Sequence, residues 1–307
     1  MNPNSHCPAP GSYVIVTAAY NEEKFIHRTI QSVVAQTVHP LRWIIVSDAS
    51  TDRTDEIVLD YARQYPFIVL HRITEEHPRN FTAQVFAINT GFRLLEALDF
   101  DFIGNLDADI RFGPDYFERL LEAFIRDSNL GLAGGSIQEQ KNGVFQNRLG
   151  TSPSSVAHAV QLFRRSCFDS VRPYVPMAYG GPDWIAEVRA RQFGWKVKTL
   201  PDLPVHHYRP TAGAEGILRG RLRQGRMDHS VGSLFLFEIL KCGRRLRESP
   251  HVLGAAVRFY GYWSSCLRRA PLLAPDDFVD FLRREQRQRL KDLLGRPAGS
   301  PLKEVMK

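Results

Sequence analysis

The sequence predicts an α/β fold, a mostly parallel central sheet flanked by helices, followed by a helical C-terminal extension. Three observations carry that reading. Short apolar runs rich in β-branched residues alternate with helical stretches through residues 12–127, the pattern of a sheet covered on both faces. Polar or acidic residues directly follow the ends of several of these runs, the place where such sheets bind ligands. The charge also changes sign along the chain. Residues 1–207 hold 20 Lys and Arg against 23 Asp and Glu, a net of −3, whereas residues 208–307 hold 20 against 10, a net of +10.

The first strand is SYVIVTA at 12–18, followed by the polar turn AYNEE. In KFIHRTIQSVVAQ, Phe25, Ile26, Ile30, Val33 and Val34 fall at helical spacing. LRWIIVSDAS forms the second strand, ending in Asp48, and TDRTDEIVLDYARQY a helix with acids in its first turn, where the dipole favours them. FIVLHRI is the third strand and leads into a helix from about Asn80 to Leu98. The fourth strand is FDFIGNLDAD; GPDYFERLLEAFIRD is the helix after it, with Pro114 near its start. Further on, AVQLFRRSCFDSV is a strand turning into a short helix, and a helix from about Pro182 to Gln192 follows the Gly180–Gly181 pair. DLPVHHYRP alternates with period two at Leu203, Val205 and His207. No repeat or low-complexity tract is visible, and only GRPAGSPLKEVMK at the end has the composition of a loose tail.

Composition excludes several classes. The 43% hydrophobic and 24% charged fractions are those of a globular chain. Cys7, Cys167, Cys242 and Cys266 lie far apart with no CxxC pair, which argues against a zinc site or a disulfide framework and fits a reducing compartment. The N-terminal residues have no apolar core of a signal peptide. The longest apolar stretch, residues 252–267, is short for a bilayer span and contains Arg258.

Asp107 and Asp109 end the fourth strand one residue apart. Two carboxylates so close repel each other unless a positive group faces them. Such a pair is either a solvated corner, since Asp favours turns, or a site for a divalent metal that takes hard oxygen ligands. Asn21, Glu22 and Asp48 follow other strands, so topology brings them to the same sheet edge. The first turn, TAAYNEEK, has no glycine, and no P-loop pattern occurs. Any phosphate therefore needs a metal rather than a glycine-rich cradle.

The order of features resembles family 2 glycosyltransferases of the GT-A fold, non-processive bacterial type. The motifs are TAAYNEEKFIHRTIQSVVAQT, VSDASTDRTDEIV, NLDADI, GGPDWIAEVRARQFGWKV and VHHYRP, in the family's order over residues 12–210. The resemblance implies a catalytic domain over 1–210, a basic, mostly helical extension over 211–307, and an inverting, metal-dependent transfer of one sugar. The donor would be a nucleotide-sugar, UDP-linked; the acceptor would be a glycan or a polyprenyl-phosphate-linked hydroxyl in cell-envelope or exopolysaccharide synthesis. By the same resemblance Ala19, Tyr20, Glu22, Asp48, Asp107 and Ala108 bind the nucleotide-sugar. Asp109 and His207, with Asp107 able to join them, bind Mg²⁺ or Mn²⁺, and Asp183 is the general base. The family's aspartate follows a glutamate, whereas Asp183 follows Pro182. Gln161, Arg164 and Arg165 fall where the family has acceptor-loop residues. The Gln-x-x-Arg-Trp signature of processive members is absent.

Beyond residue 210, arginines interleave with apolar and aromatic residues, and the last helix sets Phe278, Phe281 and Leu282 against a basic face. This pattern fits either peripheral attachment to an anionic membrane, on the inner face of the plasma membrane of a cytoplasmic protein, or a helical subdomain solvated by arginines. No nucleic-acid-binding module is visible, so nucleic acid is not expected as a partner. A nucleotidyltransferase of similar architecture would carry a glycine- and lysine/arginine-rich first loop, which AAYNEE is not. A catalytically silent membrane-associated scaffold is the non-enzymatic alternative.

Overall fold

The structure, a computed structural model, describes residues 11–75, 81–141, 143–148, 152–172, 174–209, 216–247 and 250–294. Cys7, Asn80, Pro210 and the terminal tail from 295 lie outside these residues. Two compact units form, residues 1–176 with 182–209, and residues 177–181 with 210–307.

The first unit begins β1 (Tyr13–Ala19), α1 (Ile26–Val34), β2 (Arg42–Asp48), α2 (Thr54–Gln64), β3 (Ile68–Ile73), α3 (Phe81–Arg93) and β4 (Phe102–Asn105). β1 pairs in parallel with both β2 and β4, and β2 with β3. Helices cover both faces, so β1 and β2 are buried along nearly their whole length and read as apolar runs without alternation. Tyr13, Ile15, Trp43, Ile45, Phe117 and Phe124 are among the fully buried side chains of this core. The buried Trp43 indole N–H is satisfied by Thr17 Oγ1 at 2.9 Å.

β5 (Ile110–Phe112), α4 (Tyr116–Arg126), β6 (Leu130–Lys141), β7 (Val144–Asn147), a 3₁₀ turn at His158–Val160, β8 (Leu162–Arg164), α5 (Arg165–Val171), α6 (Pro182–Gln192) and β9 (Lys196–His207) complete the unit. The strand order is β3-β2-β1-β4-β8-β6-β9-β5, with β7 on β6. This half is mixed: β8 is antiparallel to β4 and β6, β5 to β9 and β7 to β6, while β6 and β9 are parallel. At Gly104 a Cβ would sit 2.4 Å from the Gln161 carbonyl oxygen, so β4 and β8 need glycine to approach as closely as they do.

One strand differs from the sequence reading. The fourth strand was expected to run through Asp109, but β4 ends at Asn105. Leu106 N–H still donates to Val16 at 2.9 Å, whereas Asp107 N–H turns away to the Ala159 carbonyl at 3.1 Å. The chain then enters β5, which among the described strands pairs with β9 alone, so the two aspartates occupy a corner between strands of different neighbours.

The second unit holds α7 (Ile217–Ser230), α8 (Phe235–Arg244), α9 (His251–Leu267) and α10 (Asp276–Leu294). α7 and α9 cross backbone to backbone: a Cβ on Gly225 would lie 1.9 Å from the Arg258 carbonyl oxygen, and one on Gly261 2.3 Å from that of Leu222. Arg258 is buried and ion-paired, its Nε donating to Glu238 at 2.9 Å, Nη1 to Gln224 at 2.8 Å and Nη2 to Asp228. α10 buries Phe278, Leu282 and Gln286, and Gln286 Oε1 accepts the Leu234 N–H at 2.8 Å before α8. Among the described residues no helix is long and apolar enough to cross a membrane.

Candidate active site

The carboxyl ends of β1 and β2 lie side by side, with Ala19 opposite Ser47 and Asp48 next along. The loops that follow are laced together. Asn21, at φ 53°, accepts Thr51 N–H at 2.8 Å; Glu22 N–H donates to Thr54 Oγ1 at 2.7 Å and Glu23 N–H to Asp52 at 3.0 Å. Asp48 is buried at this edge and Tyr20 is exposed beside it in the chain.

Thr29 on α1 fixes the aspartate corner. Its Oγ1 lies 2.8 Å from the carbonyls of both Ala108 and Ile110, and accepts Ile110 N–H at 3.1 Å. β9 brings His207 opposite Ile110, and Tyr208 N–H donates to the Asp109 carbonyl at 3.1 Å. His207 Nε2 thereby sits 3.1 Å from Asp109 Oδ1 and 3.9 Å from Asp107 Oδ2. Strand parity turns His206 elsewhere, stacked on Phe145 with ring centroids 4.1 Å apart. Arg209 Nε donates to Asp109 Oδ2 at 2.7 Å, and its Nη2 pairs with Glu22 Oε1, joining the first loop to the corner. Asp107 Oδ1 faces His158 Nδ1 at 3.3 Å.

The electrostatics follow. Burial opposes the charge of Asp109, but hydrogen bonds and positive charge from His207 and Arg209 outweigh it and hold the carboxyl below its usual range. Burial pushes Glu22 up to about 7, with Asp109 and Asp107 adding to the rise and Arg209 opposing it. For His207 and His158 burial disfavours the cation, yet the facing aspartates win and raise both imidazoles. Glu22 Oε2 and His158 Nε2 are buried without a hydrogen-bond partner.

Ligand atoms of Asp107, Asp109 and His207 all lie within 4.8 Å of one another, the one cluster of this kind among the described residues. Two carboxylates and an imidazole are hard and borderline donors, a set that suits Mn²⁺ or Mg²⁺. These residues therefore fit a divalent cation.

Asp183 lies in the first turn of α6, with Pro182 as the first helical residue and Gly180 and Gly181 at positive φ before it. Gln161 connects it to β4: its carbonyl accepts the Asn105 N–H at 2.9 Å, its Nε2 donates to the Asp183 carbonyl at 3.4 Å and to Val156 at 3.1 Å, and its Oε1 accepts from the Tyr174 hydroxyl. The charges of Asp183 and Asp107 both act on His158 and Tyr174, which places these two rings beside both acids. One turn beyond Asp183, Glu187 is buried, and its Oε1 accepts Val156 N–H at 2.7 Å and Ser155 Oγ–H at 3.0 Å. Burial, then the Asp183 charge, push it up to about 8.

The two arginines placed with the acceptor loop have other partners. Arg164 binds the carbonyls of Phe124 at 2.6 Å and Leu130 at 3.1 Å, satisfying the C-terminal end of α4. Arg165 pairs with Asp169 at 3.0 Å, beside a groove of about 700 Å³ that contains none of the site residues. Arg209, His158, Thr29 and Glu187 were given no role from sequence. Arg209 stood within the VHHYRP motif, two residues after His207, and its place in that motif was the one available signal.

Over residues 14–180 the chain matches the model of glycosyl transferase family 2. It is 27% identical over 159 residues to the chondroitin synthase of Escherichia coli, covering 48% of this chain and 22% of that protein. The first curated relatives are matched over only 22% to 34% of their own lengths. Residues 1–349 of Staphylococcus aureus TarS, solved in complex with UDP-GlcNAc, superpose with a TM-score of 0.52 at 14% identity, covering 82% of this chain and 71% of that one. The mannosyltransferase PcManGT of Pyrobaculum calidifontis, solved in complex with GDP-Man and Mn²⁺, gives 0.53 at 16% identity, covering 91% and 80%. The structural likeness establishes the fold, GT-A, with C-terminal helices appended. With a family model covering more than half of its length, the chain belongs to glycosyl transferase family 2.

Proposed function

We propose that this chain is an inverting glycosyltransferase that moves one sugar from a nucleotide-sugar, UDP-linked, to a hydroxyl of a glycan or polyprenyl-phosphate-linked acceptor in envelope polysaccharide synthesis. The observation that carries the reading is the Asp107–Asp109–His207 cluster at the carboxyl ends of parallel strands, tied through Arg209 to the first loop. TarS and PcManGT were solved with nucleotide diphosphate sugars, which supports this donor class. In this reading residues 1–210 are the catalytic domain.

Ala19, Tyr20, Glu22 and Asp48 bind the nucleotide, Asp48 accepting a hydrogen bond from the ring N–H of the base. Asp107 and Ala108 face the ribose and diphosphate. Asp109 and His207, with Asp107, would hold Mg²⁺ or Mn²⁺, which would supply positive charge to offset that of the departing diphosphate. Asp183 accepts the proton of the acceptor hydroxyl as that oxygen attacks the anomeric carbon. Attack from the side opposite the diphosphate inverts the configuration. The acceptor is met at the inner face of the plasma membrane, which the basic unit beyond residue 210 contacts.

The test incubates the protein with a panel of nucleotide-sugars and Mn²⁺ and measures release of nucleotide diphosphate. Turnover with one donor is expected, with Asp183→Asn lowering it by at least ~100-fold and Asp109→Ala weakening metal-dependent donor binding. No donor bound or turned over, together with Asp109→Ala binding nucleotide as well as wild type, would overturn the reading.

A further inference from the structure

α9 carries an apolar ridge on the side away from its packing partners. Leu253, Ala256, Tyr260, Trp263 and Leu267 are all exposed, at intervals of three and four residues that place them on one line of the helix. Tyr260 is 54%, Trp263 46% and Leu267 70% exposed, although the opposite side holds the buried Gly254, Arg258, Gly261 and Ser265. A helix in water normally presents charge at such positions. Between His251 and Leu267 the only ionised side chain is Arg258, which is buried and paired.

The ridge does not end at the helix. Phe259 on its flank meets Phe235 of α8 with ring centroids 5.8 Å apart, and Phe235, Leu236 and Ile239 are themselves exposed. Arg268 and Arg269 close one end of α9, both exposed.

We infer that this ridge is the surface by which the second unit inserts into an anionic lipid leaflet. The inference deepens the membrane contact proposed above by naming the element that makes it. Three features select lipid over a second copy of the chain. Tyr and Trp on the ridge suit the boundary between headgroup and acyl chain. Arginines at its end and a net charge of +10 over residues 208–307 complement an anionic surface. Flanking positions Val252, Val257, Phe259, Ser264 and Cys266 carry no charge, so the ridge lacks the ion pairs that set register and partner in a helix pair.

The experiment is flotation of the full chain with vesicles of phosphatidylcholine containing about one third phosphatidylglycerol, in parallel with phosphatidylcholine alone. Wild type should float with the anionic vesicles and much less with the neutral ones. Tyr260→Ser with Trp263→Ser should lower the partition by at least ~10-fold, with an unchanged melting temperature because both side chains are exposed. Arg268→Glu and Arg269→Glu should each cost about fivefold and steepen with falling salt. Brominated lipid should quench Trp263 emission, a component lost in Trp263→Phe while flotation persists. Equal flotation of the Tyr260/Trp263 double variant overturns the proposal. So does a wild-type dimer in light scattering that the same two changes dissociate. Donor turnover is read separately on these samples, so loss of turnover with intact flotation counts against the transferase reading alone, and loss of flotation with intact turnover against this one alone.

Discussion

Glu187→Gln provides a measurement of how the first unit treats a buried acid beside the candidate base. Glu187 is 2% exposed, and its Oε1 accepts both Val156 N–H and Ser155 Oγ–H. Its carboxyl is displaced from an ordinary 4.5 to about 8. Between those two values the native state keeps a proton that the unfolded chain releases, so stability is fully present below about 4.5 and falls as the pH rises through about 8. At ~1.4 kcal/mol per pH unit the loss amounts to about 2–5 kcal/mol once Glu187 is ionised. Glutamine retains the accepting oxygen and cannot ionise. The variant should therefore match wild type near pH 5 and exceed it by about 2–5 kcal/mol near pH 9. Of the four tryptophans, Trp43, Trp184 and Trp195 lie in the first unit and Trp263 in the second. Urea unfolding followed by tryptophan emission in a Trp263→Phe background then reports the first unit alone. Parallel pH dependences for the two proteins would refute the burial argument. A variant less stable at every pH would mean that the hydrogen bonds require the carboxylate.

Arg209→Met removes the cation from between Glu22 and Asp109 and should lower stability by about 1–3 kcal/mol, a value reduced by the half-exposure of the guanidinium; added Mn²⁺ should raise the melting temperature of the variant more than that of wild type, and equal shifts would contradict the shared site. Chelation should abolish donor binding measured by calorimetry, with Mn²⁺ restoring it. In the second unit, Gly225→Ala drives a methyl into the Arg258 carbonyl oxygen, from which it would lie 1.9 Å, and should cost at least ~2 kcal/mol, read as a lowered melting temperature. Arg258→Met leaves Asp228 and Glu238 buried together with only Lys241 near both and should cost about 3–5 kcal/mol; a melting curve like that of wild type would show that the network is not buried as described.

The parallel half of the sheet was legible because burial on both faces forces continuous apolar runs, and β1 and β2 are such runs flanked by helical periodicity, with β3 at the edge keeping an apolar start before His71 and Arg72. β5 was not. It is three residues long, its centre is the exposed Arg111, and its pairing partner lies almost a hundred residues on, so no local pattern could announce it. The same holds for the acids and bases of the site. Asp107, Asp109 and His207 stood out because like charges at a strand end and a histidine in a period-two run are visible locally. Glu187 did not, since a glutamate in a helix just ahead of Arg189 and Arg191 has the pattern of a solvated face until the 152–156 loop, through Ser155 and Val156, covers it. For Arg258 the sequence showed only that it interrupts an apolar stretch too short to span a bilayer; its burial and its pairing with Asp228 and Glu238, with Leu253, Tyr260, Trp263 and Leu267 left facing out, needed the fold.

The charge arrangement around Asp109 explains why the corner is built from residues so far apart in sequence. Glu22, Asp107 and Asp109 supply three carboxyl groups, and among the described residues Arg209 supplies the one permanent cation bonded to any of them. Were the acids local to one turn, their repulsion would have to be met by water, and the corner would be free to open. Here Arg209 comes from the end of β9 and Glu22 from the first loop, so closing the corner requires β1, β4, β5 and β9 to be in register. Burial of Glu22 raises its carboxyl to about 7, which lets that group shed charge near neutrality, while Asp109 remains ionised under two positive neighbours. The pair is thus graded, with the firm negative charge on the residue that also faces His207 and the adjustable one on the loop. That grading keeps the firmer charge on Asp109, the acid that shares its cluster with Asp107 and His207, and leaves the adjustable one on Glu22.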